Sequence, residues 1–403
     1  MTPAFLIMLT AAILTALWYS GTVLFLSGGL RRPPAAGTGN DLHYSVIVAA
    51  RNEAANIGAC LDALVAQTIA MERFEIIIVN DRSTDGTGAI IDEYCRQYPH
   101  LRHLSISETP PGLSPKKYAV AQGVAAAVHD IIVFTDADCI VPPAWLATIG
   151  THFRSDVGLV QGITAYRYVK GMNRLFFRLQ ALDFLSHGIV AAAAIGAGLP
   201  INSNANNFAF RREAFIEAGG LTGSIGHIVS GDDDLLLQKI WNLGTWKITY
   251  MTDPDGAVVT MPTMTPRALL HQRARWGSKT VHYNPRQILL LSGVFLFYLT
   301  IIFSAALSWA DPRLLSLTGV LLLVKYAGES VIMVPGLHRF GHTELLPLLP
   351  LASLIQLPLV ITAIILGIFG TFVWKDQSFS RTVKQEAATH GHRSLRSTAG
   401  RSK

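Results

Sequence analysis

The chain has 403 residues, of which 50% are hydrophobic and 15% are charged, and its mean hydropathy is +0.36. Because soluble domains carry about 25% charged residues, this composition argues against an ordinary soluble enzyme, and it excludes a disordered chain. The net charge of +6 is compatible with nucleic acid, acidic lipid or phosphorylated substrates as partners.

The first apolar segment lies close to the N-terminus. Residues 4–27 contain no Asp, Glu, Lys or Arg over 24 positions, which is long enough for a helix to span a bilayer. A cleaved signal peptide is the alternative, but such peptides begin with a basic region, and nothing basic precedes this segment. We expect an uncleaved anchor with Arg31 and Arg32 on the cytoplasmic side. Residues 1–40 are therefore predicted to be a transmembrane anchor followed by a linker.

Residues 41–285 have the pattern of a soluble α/β domain. Short β-branched runs at 43–50, 75–80 and 130–135 are separated by helix-like stretches such as 54–67 and 119–128. Strands that alternate with helices predict a mostly parallel sheet that is covered on both faces. The three cysteines of the chain form neither a disulfide framework nor a zinc-binding pattern, which favours a reducing compartment for this domain.

Residues 286–374 return to apolar character and are predicted to hold two or three membrane spans. Residues 287–310 are uncharged, whereas residues 314–334 contain Lys325 and Glu329. These two side chains are four positions apart and would share one face of a helix. They form either a pair between helices or part of a channel or lipid-headgroup site, because ionisable groups in a span face protein or water.

The last apolar segment and the tail leave the topology open. Residues 345–374 are too long for one upright helix and contain three prolines, so we expect an interfacial part followed by a span from about Gln356. Residues 375–403 carry seven basic and two acidic residues and are predicted to be a disordered tail. One span before the domain and three after it would put this basic tail outside, so either one segment does not cross or the tail departs from the positive-inside rule.

Acidic side chains follow two of the predicted strands. Asp136 and Asp138 come directly after the strand at 130–135, and two carboxylates at this spacing can converge on a hard divalent cation such as Mg²⁺. Asp81 stands at the tip of the strand at 75–80, where ligands bind in open α/β sheets, although its segment NDRSTDGT could equally form a turn and a helix cap. The chain contains no GxGxxG sequence and no P-loop, which argues against an ordinary dinucleotide fold.

Three consecutive carboxylates begin a later helix-like stretch. Asp232, Asp233 and Asp234 either cap this helix, or one of them acts as a general base near a metal ion while the others orient it. Three adjacent carboxylates resist joint ionisation unless cations or water compensate their charge.

The basic segment HQRARWGSK at residues 271–279 directly precedes the second apolar segment. One interpretation is an interfacial helix with a tryptophan anchor, which is common at membrane surfaces. The other is a binding site in which Arg273 or Arg275 contacts a diphosphate and Trp276 stacks on a sugar ring. The segment alone does not decide between them.

The order of these motifs resembles the family 2 glycosyltransferases. SVIVAARNEAANI, NDRSTDGT, a Lys116-Lys117 segment, DAD, GDDD and QRARW follow one another over about residues 41–285 and match the Asp, Asp-x-Asp, acidic-Asp and Gln-x-x-Arg-Trp signature. The pattern is most similar to the membrane-embedded branch, which includes polysaccharide synthases and ceramide glucosyltransferases. The resemblance implies an α/β GT-A nucleotide-sugar-binding domain with a mostly parallel central sheet, flanked by transmembrane helices.

The resemblance also implies roles for individual residues. The implied donor-binding residues are Ala50, Arg51, Glu53, Asp81, Asp136 and Lys116, with Lys117 as the alternative to Lys116. The implied metal ligands are Asp138 and Asp136, and the implied catalytic base is Asp233, with Asp232 as its alternative. The residues implied for the acceptor and the diphosphate are Gln272, Arg275, Trp276, Asn204 and Asn207. The two asparagines have an alternative role as amides that satisfy a tight loop.

The function implied is inverting transfer of a hexosyl or N-acetylhexosaminyl group. The donor is a nucleotide-diphosphate sugar, expected to be a UDP-sugar, and the acceptor is a lipid-linked or growing polysaccharide at the cytoplasmic membrane face. Mg²⁺ or Mn²⁺ is the implied cofactor, and the protein is expected to be multi-pass with a cytoplasmic catalytic domain. Nucleic acid is not expected as a partner, because the tail carries +5 of the net charge. Oligomeric state, sugar and linkage stay open.

Two other functions remain as alternatives. The first is a non-catalytic membrane protein that binds a nucleotide sugar through a degenerate GT-A domain, although the expected carboxylates are all present. The second is a glycosidase, which also needs two carboxylates but not the DAD pair or Asp81.

Overall fold

The structure is a computed structural model that describes residues 3–31, 41–228, 231–374 and 377–380. The predicted linker up to residue 40 and most of the predicted tail lie outside the described residues. The twelve helices in the described part are α1 (Pro3–Leu30), α2 (Ile57–Val65), α3 (Thr87–Gln97), α4 (Pro115–Ala126), α5 (Trp145–Gly150), α6 (Arg174–Gly196), α7 (Arg212–Glu217), α8 (Asp234–Leu243), α9 (Pro266–Gly277), α10 (Pro285–Leu307), α11 (Arg313–Arg339) and α12 (Leu349–Phe369). Short 3₁₀ helices occupy Met71–Arg73, Pro254–Gly256, Thr280–His282 and Thr343–Leu348.

The strands form one large sheet and two small ones. They are β1 (Tyr44–Ala50), β2 (Phe74–Asp81), β3 (Leu101–Ile106), β4 (Ile131–Asp136), β5 (Val157–Gly162), β6 (Thr164–Tyr166), β7 (Phe208–Arg211), β8 (Lys247–Met251), β9 (Val258–Thr260), β10 (Thr371–Trp374) and β11 (Gln377–Ser380). The large sheet has the order β3-β2-β1-β4-β7-β5-β8, and within it only β7 is antiparallel to its neighbours. The predicted mostly parallel sheet is therefore confirmed.

The small sheets add one correction to the sequence-based expectations. β6 pairs with β9 in parallel, and β10 pairs with β11 as an antiparallel hairpin. The sequence predicted a disordered tail from residue 375, but Gln377–Ser380 is a strand. Its partner β10 follows α12, and backbone pairing between two short strands needs no apolar periodicity that the sequence would reveal.

Alternate side chains of the central strands enter two different cores. Val46 and Ile76 point to the face that α2, α3 and α5 cover. Ile47 and Ile77 point to the opposite face, where their core continues through α4, α6 and α8 into residues of α10 such as Phe297. This alternation follows from the two-residue repeat of a strand. One face of the large sheet and the apolar helices thus share one hydrophobic core.

Among the residues that the structure describes, five helical stretches are long and apolar enough to cross a membrane: α1, α6, α10, α11 and Thr343–Phe369. The sequence pointed to four of them and missed α6. In α6, 67% of the most apolar stretch is buried inside the protein, against 11–28% in the others. α6 is therefore an internal helix between the sheet and the remaining apolar helices. In the last segment, α12 starts at Leu349 rather than near Gln356, after a 3₁₀ turn that includes Pro347.

The charged pair of α11 joins α11 to α12. The Lys325 ammonium is fully buried and donates to the Glu329 carboxylate, to Ser353 O at 2.8 Å and to Gln356 Oε1 at 3.2 Å. Tyr298 of α10 donates to Glu329 Oε1 at 3.3 Å. These contacts favour the interhelical-pairing interpretation, because each polar group of the network finds a partner from a neighbouring helix.

Close backbone contact fixes α9 on α12. A Cβ atom on Gly367 would lie 2.5 Å from Ala274 O and 2.7 Å from Ser278 N. A Cβ on Gly277 would lie 3.0 Å from Ala363 O. Only glycine allows the two helices to approach this closely, as small residues do between packed helices in membranes.

We expect Lys325→Met to destabilise the protein by roughly 3–5 kcal/mol, because it leaves the Glu329 carboxylate unpaired among apolar helices. Replacing both residues, as Lys325→Met with Glu329→Leu, should restore most of this loss. Thermal unfolding in detergent measures both variants. A single variant that costs less than about 1 kcal/mol would mean that the pair behaves like an exposed one.

Gly367→Ala should destabilise the protein by roughly 1–3 kcal/mol, because the new methyl group meets backbone atoms that cannot move independently. Gly319→Ala in α11 is the matched control, since nothing lies within 4 Å of its added Cβ. This control should leave the melting temperature unchanged or raise it slightly, as alanine favours helix. Equal effects of the two substitutions would contradict the close α9–α12 contact.

Candidate functional site

A cavity of about 810 Å³ opens at the carboxyl ends of β1, β2 and β4. This edge is where ligands bind in open α/β sheets. The cavity brings together residues that are far apart in the sequence and that the motifs had singled out: Ala50, Arg51, Glu53, Asp81, Lys116, Asp136, Asp138, Asn204, Asp232, Asp233, Gln272, Arg275 and Trp276.

Two predicted site residues do not line this cavity. The buried Lys117 ammonium donates to Ile225 O at 2.8 Å, so of the two adjacent lysines only Lys116 reaches the cavity. The Asn207 amide donates to the backbone oxygens of Ile163 and Gly256, each at 2.7 Å, and accepts from the indole of Trp145. Asn207 therefore has the loop-satisfying role that the sequence left as its alternative, and the expectation of a ligand contact is corrected.

The loops after β1 and β2 hold one another in place. Asn52 and Arg82 both have positive φ angles, of 53° and 54°, which are uncommon for residues other than glycine. Asn52 Oδ1 accepts from Thr84 N at 2.8 Å, and Ser83 Oγ accepts from Asn52 N at 3.0 Å. Arg82 pairs with the nearly buried Asp81 at 2.7 Å. Cross-loop bonds thus maintain two strained residues at the edge of the cavity, a situation frequent at binding sites.

Lys116 connects two acidic parts of the cavity. Its ammonium lies 2.9 Å from Asp136 Oδ1 and 3.0 Å from Asp232 Oδ2. Lys116 stands in the first turn of α4, directly after Pro115. Its ammonium therefore connects Asp136 at the tip of β4 with Asp232 just before α8. A lysine between two carboxylates lowers the repulsion that they would otherwise exert on each other.

The residues of the DAD pair suit a divalent cation. Burial, together with the charges of Asp136 and Glu53, raises the pKa of Asp138 to about 6. A cation here would offset this accumulation of negative charge. Among the residues that the structure describes, no group of three or more Asp, Glu, His or Cys side chains forms a complete metal cage. The pair fits an ion such as Mg²⁺, which takes one or two carboxylates and completes its shell with phosphate oxygens and water.

The three consecutive aspartates have three different surroundings. Burial raises the pKa of Asp232, but the nearby Lys116 ammonium outweighs it and lowers this pKa to about 2. Both oxygens of Asp233 are engaged: Oδ1 accepts from Asp234 N and from Lys279 Nζ, and Oδ2 accepts from Ala205 N. Asp234 is 1% exposed and lies 2.7 Å from Lys279 Nζ. All three aspartates line the cavity, but Asp232 shares Lys116 with Asp136, whereas Asp233 and Asp234 accept hydrogen bonds from the neighbouring backbone.

α9 presents the QRARW segment to the cavity. The Arg273 guanidinium lies over the Trp276 ring at 4.1 Å and pairs with Asp183 of α6 through Nε at 2.7 Å. Arg275 is half-buried in the cavity wall, where desolvation lowers its pKa while the charges of Asp232, Asp233 and Asp136 oppose that shift. Of the two arginines that the sequence left open for a diphosphate, Arg273 supports the tryptophan and Arg275 faces the carboxylates.

Sequence reasoning missed several residues of the cavity wall. Asp183 and His187 lie four positions apart on α6, and the His187 ring contacts Trp276 edge-on at 5.3 Å. Their spacing was a usable signal, but α6 itself was not recognised as a helix. Lys279 belongs to the quoted basic segment, yet its pairing with Asp233 and Asp234 depends on residues about 45 positions away.

An apolar arm extends the cavity away from the strand tips. We define it by Val190 of α6, Leu291 of α10, and Leu359, Val360 and Ile364 of α12. α10 and α12 are among the helices that could cross a membrane. The lining of one cavity therefore includes both the polar strand edge and side chains of the apolar helices.

Comparisons with known proteins agree with this architecture. Residues 45–219 match the family described as Glycosyl transferase family 2. Glycosyltransferase AglE of Haloferax volcanii is 31% identical over 224 residues, which are 54% of this chain and 67% of that protein. Beta-monoglucosyldiacylglycerol synthase of Synechocystis is 29% identical over 241 residues, which are 58% of this chain but only 46% of the synthase.

A solved structure shows the same fold. The mannosyltransferase PcManGT of Pyrobaculum calidifontis, determined with GDP-Man and Mn²⁺, superposes with a TM-score of 0.58 at 20% identity, over 89% of this chain and 98% of that one. Its fold is the GT-A fold that the motif order implied. The expected α/β class is therefore confirmed, and the chain belongs to the family 2 glycosyltransferases.

Proposed function

We propose that this protein is an inverting, metal-dependent glycosyltransferase that moves a sugar from a nucleoside-diphosphate sugar to a lipid acceptor in the membrane. The observation that carries this proposal is the single cavity that joins Asp136, Asp138 and Asp232 at the strand edge to the apolar arm. Sugar donors are polar and lipid chains are apolar, so an enzyme for this reaction needs both environments within one site.

The donor side is supported by charge and position. Ala50, Arg51, Glu53 and Asp81 surround the tips of β1 and β2, where we expect the nucleoside of a UDP-sugar to bind. Lys116 and Arg275 supply cationic groups for a diphosphate. The donor of the Pyrobaculum mannosyltransferase is GDP-Man, so a guanosine donor is the second possibility that the experiment separates.

Asp136 and Asp138 would hold the divalent ion, with Asp138 as the more direct ligand. When bound, Mg²⁺ or Mn²⁺ would act as a Lewis acid that stabilises the charge developing on the diphosphate leaving group. The surroundings of Asp138 support such a site, since burial and the charges of Asp136 and Glu53 raise its pKa to about 6, and a cation would offset this.

Asp232 is the general base in this proposal, although the family pattern favoured Asp233. Asp233 already accepts from two backbone N–H groups and from Lys279, which leaves it poorly placed to take a proton. Asp232 contacts Lys116 through one oxygen and stands beside Asp136. Transfer of Lys116 to the donor diphosphate would raise the basicity of Asp232 at the moment when the donor is bound.

The chemical step then balances as a single displacement. The acceptor hydroxyl oxygen forms a bond to the anomeric carbon while the bond from that carbon to the diphosphate oxygen breaks. The hydroxyl proton goes to the Asp232 carboxylate, and the electron pair leaves with the nucleoside diphosphate. Attack opposite the leaving group converts an α-linked donor into a β-linked product.

A lipid acceptor is favoured over a growing polysaccharide by the lining of the apolar arm. Val190, Leu291 and Val360 offer hydrocarbon contacts and no hydrogen bonds, which suits an acyl or prenyl chain rather than hydrated sugars. Beta-monoglucosyldiacylglycerol synthase, by its name, makes a glycolipid. Polymeric acceptors are the alternative outcome of the test below.

The proposed placement in the membrane follows from the donor. Nucleotide sugars are cytosolic, so residues 41–285 would face the cytoplasm and residues 286–374 would form the C-terminal membrane region. The exposed apolar side chains of α1 and α12, such as Leu14 and Ile355, support contact with lipid. Membrane lipids are thus proposed partners, and nucleic acid is not.

Asp232→Asn should lower transfer by about 10²–10⁴-fold while leaving donor binding intact, because it removes only the proton acceptor. Membranes containing the protein are incubated with labelled UDP- or GDP-sugars and Mn²⁺, and label is counted in lipid extract and in polymer. A chelator should stop both transfer and slow donor hydrolysis.

Asp233→Asn is the matched control for this assay, and we expect it to cost less activity than Asp232→Asn. The reverse order would assign the base to Asp233, as the family pattern suggested. Nucleotide sugar bound but never cleaved would favour the non-catalytic alternative. Label in neither fraction with any donor would overturn the transferase proposal.

Val360→Trp should raise the KM for the lipid acceptor at least about tenfold, because losing the burial of two methylene groups costs roughly 0.8 kcal/mol each. Ile365→Trp is the matched control, since Ile365 is exposed on the outer face of the same helix. The donor KM is measured in parallel. If label appears in polymer and neither variant changes transfer, the apolar arm does not hold the acceptor.

A further inference from the structure

Three polar residues form a stripe along α8, the helix that begins two residues after Asp232. Asp234, Gln238 and Asn242 are spaced four apart, so they lie on one face of the helix. All three contact the short segment 279–284, which connects α9 to α10. We call this set of contacts the α8 seam.

The contacts of the seam are direct. Asp234 pairs with Lys279 at 2.7 Å and accepts a hydrogen bond from the Tyr283 hydroxyl. Gln238 Oε1 accepts from Asn284 N at 3.2 Å, and Asn242 Oδ1 accepts from Asn284 Nδ2 at 3.1 Å.

The seam sits at a junction of three parts of the molecule. Asp234 also accepts from Ser203 N at 2.5 Å, which connects α8 to the asparagine-rich loop of the cavity. Gln287, in the first turn of α10, donates to Pro200 O at the start of the same loop. Asn284 caps α10 through a capping box with Gln287. The loop, α8 and the first turn of α10 are therefore held together by side-chain bonds.

Stability alone is a weak reason for such an arrangement. Asp234, Gln238, Lys279 and Tyr283 are all buried, and removing charged and polar groups from water offsets most of what their mutual contacts return. Apolar residues of similar size would pack this interface at no greater cost. What these directional side-chain contacts do provide is one defined geometry.

We propose that the α8 seam is a positioning device that fixes Asp232 at a set distance from the membrane helices. The inference rests on the proposed function. An acceptor anchored by its chain in the apolar arm presents its hydroxyl at a height that the bilayer and α10 determine. The seam holds the base at the matching height. Tyr283 and Gln238 are positioning residues in this sense: Tyr283 acts through Asp234 at the start of α8, and Gln238 attaches the same helix to Asn284.

A base that must meet a membrane-anchored hydroxyl depends on this height, whereas a water molecule can approach from any direction. Loosening the seam should therefore lower transfer to lipid more than it lowers hydrolysis of the donor. A misplacement of about 1 Å can cost on the order of 10²-fold in rate. A seam with a purely structural role would change both reactions in proportion to the fraction of folded protein.

The test uses Tyr283→Phe and Gln238→Leu in the full-length protein, reconstituted in vesicles of total lipid extract from the producing cells. The expected result is a fall of at least about tenfold in kcat for transfer to lipid, with the ratio of transfer to hydrolysis falling in parallel. The donor KM and the melting temperature are measured on the same samples. Gln238→Leu removes one seam contact without touching Asp234, so it serves if Tyr283→Phe fails to fold.

Tyr94→Phe is the matched control. Like Tyr283, Tyr94 donates a hydrogen bond to an aspartate, Asp62 at 2.5 Å. Tyr94 belongs to α3, which lies on the other face of the sheet. Its transfer-to-hydrolysis ratio should stay within about twofold of the unaltered protein, as for substitutions away from a site. An unchanged ratio in both seam variants would overturn the positioning role. If the unaltered protein transfers no sugar, the proposed function is contradicted. This outcome is distinguishable from a failure of the seam inference, in which the unaltered protein is active and the variants keep its ratio.

Discussion

Five carboxylates gathered in one partly buried cavity are the constraint on which the rest of this structure depends. Asp136 and Asp138 come from one strand tip, and the aspartates 232–234 come from the start of α8. Such groups stay charged only if cations compensate them. The compensation comes from Lys116 at the start of α4 and from Lys279 just after α9. Neutralising the site therefore requires that helices from both ends of the domain converge on the sheet edge.

This convergence explains why the apolar helices belong to the site. α9 supplies Arg275 and Trp276, and it can do so only because Gly277 and Gly367 let it lie directly against α12. The same α12 lines the apolar arm. One apolar helix thus supports the cationic wall and borders the apolar space. A shift of α12 would move the cationic wall and the apolar arm together. The geometry of the cavity therefore depends on the packing of the C-terminal helices as well as on the sheet.

Local signals in the sequence predicted the sheet and most of the site, because strand tips and turn residues leave compact patterns. The features that could not be predicted from the sequence depend on contacts between residues that are distant along the chain. Lys116 and Lys117 are adjacent, and side chains one position apart on a helix point in different directions, so only the start of α4 decides between them. α6 escaped notice because Arg178 and Asp183 interrupt its apolar pattern. Its burial comes from contacts with helices distant in the sequence. Similarly, nothing local reveals which oxygens of Asp232 and Asp233 are already engaged.

The shared hydrophobic core has a consequence for how this protein unfolds. The sheet face that carries Ile47 and Ile77 is covered by α4, and the same core continues through α6 and α8 into α10. Parts of a protein that share one packed core tend to open as one cooperative unit. The sheet that carries the site and the apolar helices therefore depend on each other for stability, so a loss of packing among the helices also reaches the strand edge.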